Sequence, residues 1–332
     1  MARVSIIVVN YNSGDRLARC IACLTRQTFQ DFEIIIVDNA STDGSISAEL
    51  MAAPRLRVIS SKDNLGFAAA NNLAVRGAAG EWLAFLNPDA YAERDWLSAL
   101  MTAAERYPWA DAFGSMQLMA ADPDVLDGAG DVFHILGVGY RGGFGQSAAN
   151  LPDDGECFAP CAAAALYRRD TFIGLGGFDE RFFCYGEDVD LGFRLRLQGG
   201  RCVQVNRARV LHEGSGVTGR YSPFTVYHGN RNRIWLTYKN VPDIFYWGLF
   251  PLRLAFDLYL YARSYSIGAG KAYRRAMIDG YAGLGAFRND RRKIQSARRL
   301  SNAAFSRLAA WSPFALTGRK IRLARIDAEN GS

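Results

Sequence analysis

Residues 4–10 read Val4-Ser5-Ile6-Ile7-Val8-Val9-Asn10, and residues 32–38 read Phe32-Glu33-Ile34-Ile35-Ile36-Val37-Asp38. Each is a short, near-continuous β-branched run that stops on a polar side chain. Such runs suit strands covered on both faces, as in a parallel sheet. Between them, Leu17, Cys20, Ile21 and Leu24 recur at helical spacing, so residues 15–27 read as a helix. The unit repeats. A polar turn, Asn39-Ala40-Ser41-Thr42-Asp43-Gly44, leads to a further helical stretch and a third strand at Arg57-Val58-Ile59. Asn64-Leu65-Gly66-Phe67 opens an Ala-rich helix, and Trp82-Leu83-Ala84-Phe85-Leu86 is a fourth strand ending at Asn87-Pro88-Asp89. Strand and helix alternate, which predicts an α/β fold with a mostly parallel sheet flanked by helices.

Ligands of open α/β sheets bind beyond the carboxyl ends of the strands. Asn10, Asp38 and Asp89 each follow a separate strand, so they predict one shared site. Asp38 suits a base or ribose contact, whereas Asp43 reads as a helix cap. Asn87-Pro88-Asp89 is an ordinary turn or, through Asp89, an oxygen ligand for Mg²⁺ or Mn²⁺.

Beyond residue 110 the pattern is less regular. Residues 122–155 are rich in Gly and Asp and read as loops with room for a hairpin. Ala162 to Tyr167 suits a strand or a helix start. A glycine-rich loop from Gly174 to Phe183 precedes a helix over Glu187 to Leu197. Arg201 to Val205 and Val210-Leu211-His212 read as two short strands. Glu187, Asp188 and Asp190 crowd one helix start. The helix dipole accounts for Glu187 and Asp190, while an acid facing a cleft is placed to deprotonate a hydroxyl. His212, ahead of Glu213-Gly214-Ser215-Gly216, suits a metal or phosphate contact or a structural hydrogen bond.

Charge divides the chain. Residues 1–213 hold 19 Lys+Arg against 27 Asp+Glu, and residues 214–332 hold 20 against 6. A basic end on an acidic body points to an anionic partner (a membrane surface, a lipid-linked phosphate or nucleic acid) or to a helical surface that pairs with the body. The apolar run Ile244 to Phe250 is interrupted by Pro251, Arg253 and Asp257, too soon for a spanning helix of ~20 residues. With the Arg/Lys and aromatic mixture of residues 271–325 it predicts amphipathic helices at a membrane interface. The six cysteines are too few for a disulfide scaffold. Cys20/Cys23 and Cys157/Cys161 invite a zinc reading, but their apolar flanks suit buried thiols. Met1 leads straight into the first strand without the parts of a secretory leader, which predicts a cytoplasmic setting.

The ordered set of motifs resembles family-2 inverting glycosyltransferases of the GT-A fold, within them the bacterial rhamnosyltransferases of cell-surface polysaccharide synthesis. The matching text is Val4 to Asn12, Ile36 to Gly44, Asn64 to Ala68, Asn71-Asn72, Leu86 to Asp89, Gly176 to Phe183 and Tyr185 to Leu191, within roughly residues 4–240. The resemblance implies a glycosyltransferase domain over 1–215, with a nucleotide-binding half at 1–110 and an acceptor side at 111–215. Residues 216–332 then form a basic, amphipathic helical region. It implies a nucleoside-diphosphate-sugar donor, dTDP-L-rhamnose first and a UDP-sugar next, with Mg²⁺ or Mn²⁺. The acceptor would be a glycan or polyprenyl-linked saccharide, at the inner face of the membrane.

By position, Asp38 would bind the nucleoside, with Asn10, Asn64 and Gly66 around it. Asn87 stands where the family has the first acid of its metal motif, leaving Asp89 and His212 as ligands. Arg231 and Arg233 would hold the diphosphate, and Asp188 would be the general base. The alternatives are an inactive scaffold on the same fold, which Asn87 leaves open, and another nucleotide-sugar enzyme. A dehydrogenase would need Gly-x-Gly-x-x-Gly after the first strand, where Asn10-Tyr11-Asn12-Ser13-Gly14 stands. No nucleic-acid recognition motif accompanies the basic charge.

Overall fold

The computed structural model describes residues 2–149, 151–214 and 222–326. Ser215 and Gly216 of the His212–Gly216 stretch, and the 215/216 boundary, lie outside them.

The first half is the expected alternation: β1 (Val4–Asn10), α1 (Asp15–Thr25), β2 (Phe32–Asn39), α2 (Ala48–Met51), β3 (Leu56–Ser61), α3 (Gly66–Val75) and β4 (Trp82–Leu86). β4, β1, β2 and β3 are neighbours in that order and all parallel. Every residue of β1 is buried, and its side chains alternate between two cores. Val4, Ile6 and Val8 pack with Leu17, Cys20, Ile21 and Leu24 of α1. Ile7 and Val9 pack on the other face with Ala68, Ala70 and Ala74 of α3. Coverage on both faces is why β1 has no polar alternation to read.

β5 (Ala90–Ala92) and α4 (Trp96–Arg106) lead into the second half of the sheet. β6 (Ala112–Met119), β7 (Asp122–Gly128), β8 (Asp131–His134), β9 (Val138–Arg141), β10 (Gly155–Cys157), β11 (Ala164–Arg168), α5 (Arg169–Gly174), α6 (Glu187–Leu197) and β12 (Cys202–His212) follow. β11 runs antiparallel between β4 and β6, and β12 runs parallel beside β6. Among the described residues the sheet has 11 strands, and β8–β9 forms a separate hairpin.

One sequence expectation changes here and two are resolved. The stretch 122–155, read as loops with room for a hairpin, holds the β8–β9 hairpin together with β7 and the first residue of β10. Within Ala162–Tyr167, read as a strand or a helix start, β11 begins at Ala164. Arg201–Val205 and Val210–His212 are one strand, not two: β12 bulges between Val205 and Arg209 and keeps pairing with β6 on both sides. The bulge inserts Asn206-Arg207-Ala208, whose polar residues look like a loop in sequence.

The remaining chain is helical: α7 (Pro223–Asn240), α8 (Asp243–Gly248), α9 (Phe250–Ser264), α10 (Gly270–Ala282), α11 (Arg288–Ser296), α12 (Asn302–Leu308) and α13 (Phe314–Gly318), closed by β13 (Ala324–Arg325) on β10. Ser222 caps α7 by accepting the Thr225 N–H, with Pro223 in the first turn. These helices share a core with the sheet side. Phe133, Phe158 and Phe193 pack with Leu236, Tyr246, Phe287 and Phe305. Among the described residues no helix is long and apolar enough to cross a membrane.

Candidate active site

The carboxyl ends of β1, β2 and β4 open on a cavity of about 720 Å³. It is lined by Asn64, Gly66, Asn87, Asp89, Asp188, His212 and Arg233, which come from widely separated parts of the chain. Asp89 and Asp188 therefore face one space.

The nucleotide-side wall is built from amides. Asn39 donates to Asn64 Oδ1 at 2.8 Å and accepts the Leu65 N–H at 2.8 Å. Asn64 Oδ1 also accepts the Gly66 N–H at 2.9 Å. Gly66 has φ +79°, and a Cβ there would lie 2.6 Å from the Phe183 carbonyl oxygen. Only glycine fits that backbone and that approach. Asn10 and Asp38 are not among the lining residues. They are register partners, and Asn10 Nδ2 donates to Asp38 Oδ1 at 3.1 Å and to Ser41 and Ser45.

At the end of β4, Asp89 meets His212 from the end of β12. His212 is buried. Its Nδ1 lies 2.7 Å from Asp127 Oδ2. Its Nε2 has no hydrogen-bond partner among the described residues and lies 3.3 Å from Asp89 Oδ1. Burial pushes the imidazole pKa down, but the Asp127 bond and the Asp89 carboxylate outweigh it and hold it above its ordinary value. Burial pushes the Asp89 and Asp127 carboxyls up, and His212, joined by Arg141, more than reverses this in both. A histidine fixed through one nitrogen by a carboxylate, with the other bare beside a second carboxylate, is the arrangement of a metal ligand and its supporting partner. Asp89 and His212 fit a divalent cation.

Across the cavity, Asp188 sits in the first turn of α6. Its Oδ2 accepts the Ala162 N–H at 3.1 Å and its Oδ1 accepts the Val189 N–H at 2.8 Å, so the carboxylate is aimed. The preceding loop is conformationally costly, with Phe183 at φ +66° and Tyr185 at φ +71°. Asp131 and Cys161 join Asp188 in a cluster whose ligand atoms lie within 4.8 Å of one another. Burial, then the charge of Asp188, raises the Asp131 carboxyl well above its ordinary value. Burial pushes the Cys161 thiol up to about 12. A protonated thiol is a poor ligand for a hard ion, so this cluster does not suit Mg²⁺ or Mn²⁺. Neither close cysteine pair forms a zinc site among the described residues.

The two other acids of α6 separate from Asp188. Asp190 is buried and accepts from Arg194 at 2.8 Å, Lys239 at 2.9 Å and Asn240 at 2.7 Å. It ties α6 to α7. Glu187 lines the cavity, and burial, then Asp188, raises its carboxyl well above the ordinary value.

Arg233 lines the cavity and is held by Asp257 of α9. Arg231 points elsewhere, donating to the Phe182 carbonyl at 3.1 Å and stacking on Trp235. The residues that sequence reasoning does not single out are Asn39, Asp127, Asp131 and Arg141. Arg141 lines the cavity and pairs with Asp127. Three of the four lie in β7, β8 and β9, the stretch read as loop.

The sheet topology, with its cavity at the strand ends, is that of the GT-A fold. Residues 5–175 match the model of the family described as Glycosyl transferase family 2, and the chain belongs to that family. It is 32% identical over 240 residues to N-acetylglucosaminyl-diphospho-decaprenol L-rhamnosyltransferase of Mycobacterium tuberculosis, covering 65% of this chain and 77% of that one. It is 35% identical over 231 residues to O-antigen biosynthesis protein RfbC of Myxococcus xanthus, covering 64% of this chain and 17% of that one. Among solved structures it is similar to GalNAc-T7 with UDP, GalNAc and Mn²⁺, at a TM-score of 0.60 and 16% identity over 74% of this chain and 50% of that one. The protein is a glycosyltransferase with rhamnosyltransferase relatives.

Proposed function

We propose that the enzyme transfers a sugar, with inversion, from a nucleoside-diphosphate-sugar to a hydroxyl of a lipid-linked saccharide, at the inner face of the membrane. The observation that carries this is the shared cavity: the aimed Asp188 carboxylate opens on the same space as Asp89 and His212. dTDP-L-rhamnose is the first donor expected, supported by the relative that the M. tuberculosis name describes, and UDP-sugars come next.

The donor's nucleoside lies against the Asn39–Asn64–Gly66 wall, with Asn10 and Asp38 stiffening the strand ends. Asn87, Arg233 and Arg141 border the space for the diphosphate. Asp89 and His212 would hold a divalent cation, which would supply positive charge against the leaving diphosphate. Asp188 accepts the proton of the acceptor hydroxyl, and the freed oxygen attacks the anomeric carbon from the side opposite the diphosphate. The carbon–oxygen bond to the diphosphate breaks as the new one forms, so the centre inverts without a covalent enzyme intermediate. A positioned base contributes roughly 10²–10⁴-fold to such a step.

Incubation with a panel of nucleotide sugars, a polyprenyl-linked acceptor and Mn²⁺ tests the proposal. Product from one donor, with inverted anomeric configuration by NMR, supports it. Failure of every nucleoside diphosphate to bind supports the scaffold alternative and overturns it.

A further inference from the structure

α9 is built inside out. A helix on a water-soluble surface buries its apolar stripe and exposes its charges. In α9 the buried side chains are Arg253, Asp257 and Ser264. Arg253 and Asp257 are 4% and 2% exposed, while Leu252, Leu258 and Tyr259 are 54%, 53% and 57% exposed. The inward polar groups are all engaged. Arg253 donates to the carbonyls of Phe245 and Tyr246. Asp257 accepts from Arg233 and from the Tyr281 hydroxyl, and Ser264 Oγ donates to the Tyr261 carbonyl. Arg253 and Asp257, which interrupt the apolar run in sequence, are thus turned inward, and the outer face is left largely apolar.

The apolar face continues along neighbouring elements. Ile244 and Trp247 of α8, Tyr265, Ile267 and Ile278 are all exposed. Around this surface the charge is mainly cationic, the two acids at its ends being paired, Asp243 with Arg291 and Asp279 with Arg275. From Leu249 to Ile278 every exposed charged side chain is a cation: Arg263, Lys271, Arg274 and Arg275. An apolar face with aromatic side chains and a cationic border matches the layering of a bilayer interface, where acyl chains lie beneath anionic headgroups. A second copy docked by two-fold symmetry would instead set cation border against cation border.

We propose that the outer face of α8 and α9 inserts into an anionic bilayer, with Arg263, Lys271, Arg274 and Arg275 against its headgroups. The surface rests on the lipid-linked acceptor only for its purpose, not for its evidence. It also reaches the cavity: Asp257, on the inner side of the inserted helix, holds the Arg233 guanidinium that borders the site. Docking therefore anchors one wall of the active site to the membrane.

Vesicle flotation of the full chain tests this. With vesicles of phosphatidylcholine and phosphatidylglycerol the unmutated protein floats. Leu252→Glu with Leu258→Glu lowers the bound fraction at least about tenfold, since each leucine withdrawn from hydrocarbon is worth that order of affinity, while the melting temperature stays put. A second measurement needs no folded variant of the apolar face: brominated acyl chains quench tryptophan emission, and Trp247→Phe removes most of that quenching. Unmutated protein that fails to float, a double variant that floats normally, or quenching that survives Trp247→Phe overturns the proposal. So does a concentration-dependent dimer that Leu252→Glu with Leu258→Glu dissociates, which makes the face a protein interface. Flotation reads no chemistry. Loss of the transferase reading would leave it standing, and loss of flotation would leave transfer to a water-soluble acceptor analogue intact.

Discussion

Asp127 Oδ2 lies 2.7 Å from His212 Nδ1, and this one contact turns the bare Nε2 of His212 toward Asp89. Asp127 is a positioning residue. Removing such a carboxylate frees the ring and lowers its basicity, and costs roughly 10–100-fold in metal affinity. Asp127→Ala is expected to weaken Mn²⁺ binding by about that factor, read by titration calorimetry. Equal affinity in the variant would mean that His212 is not a ligand.

Asp188→Asn keeps the size of the side chain and removes the proton acceptor. The expected result is a fall in kcat of roughly 10²–10⁴-fold with donor affinity little changed. Single-turnover kinetics with a saturating donor separates the two. A variant that turns over normally would place the base elsewhere, with Glu187 the neighbouring candidate in the cavity.

The part of this site that the sequence reveals is the part that local pattern encodes. β1, β2 and β4 are buried runs that end in Asn10, Asp38 and Asn87-Pro88-Asp89, and strand ends are where a ligand belongs. The helix from Glu187 to Leu197 announces itself by its acids and its period. Asp127, Asp131 and Arg141 carry no such signal. They sit on short strands among glycines, and their role comes from contacts with His212 and Asp188, 85 and 57 residues away for Asp127 and Asp131 respectively. β12 is read as two strands because a bulge puts Asn206-Arg207 in the middle of the run. In α9 the period shows an apolar stripe, yet nothing local says which side faces inward.

The acids of α6 offer a contrast in stability. Burial pushes the Asp190 carboxyl up, but Arg194 and Lys239 outweigh it and hold it below its ordinary value. A depressed folded-state pKa contributes stability above the unfolded value and loses it as pH falls. Asp190→Asn removes one partner of a buried ionic set, a change that costs about 3–5 kcal/mol. The expected outcome is a large loss of melting temperature at neutral pH that narrows on acidification. The protein that remains folded should bind donor normally. A variant as stable as the parent would show that α6 and α7 are held together by packing alone.

Gly66→Val tests the wall beneath the donor. The added side chain meets the Phe183 backbone, 2.6 Å from the Cβ position, in a conformation that disfavours branching. Either Gly66 or the Phe183–Tyr185 loop must move. The expected cost is about 1–3 kcal/mol of stability together with weaker donor binding, because the same loop runs into Asp188. Denaturant unfolding and a donor titration report the two effects. A stability loss with unchanged donor affinity would detach this wall from the donor.

Asp131 is the least expected member of the cavity. Its carboxyl is buried and raised, first by burial and then by the neighbouring Asp188 charge. A group raised in the folded state contributes its stability below the unfolded pKa of about 3.8, and that contribution is lost as pH rises through the folded value. Asparagine keeps the shape without the proton to lose. Asp131→Asn is therefore expected to match the parent near pH 4, within the usual carboxylate range, and to exceed it in melting temperature toward neutral pH, by roughly 2 °C for each kcal/mol of penalty removed. A melting-temperature difference that is constant across pH would mean that Asp131 ionises as freely in the folded protein as in the unfolded chain.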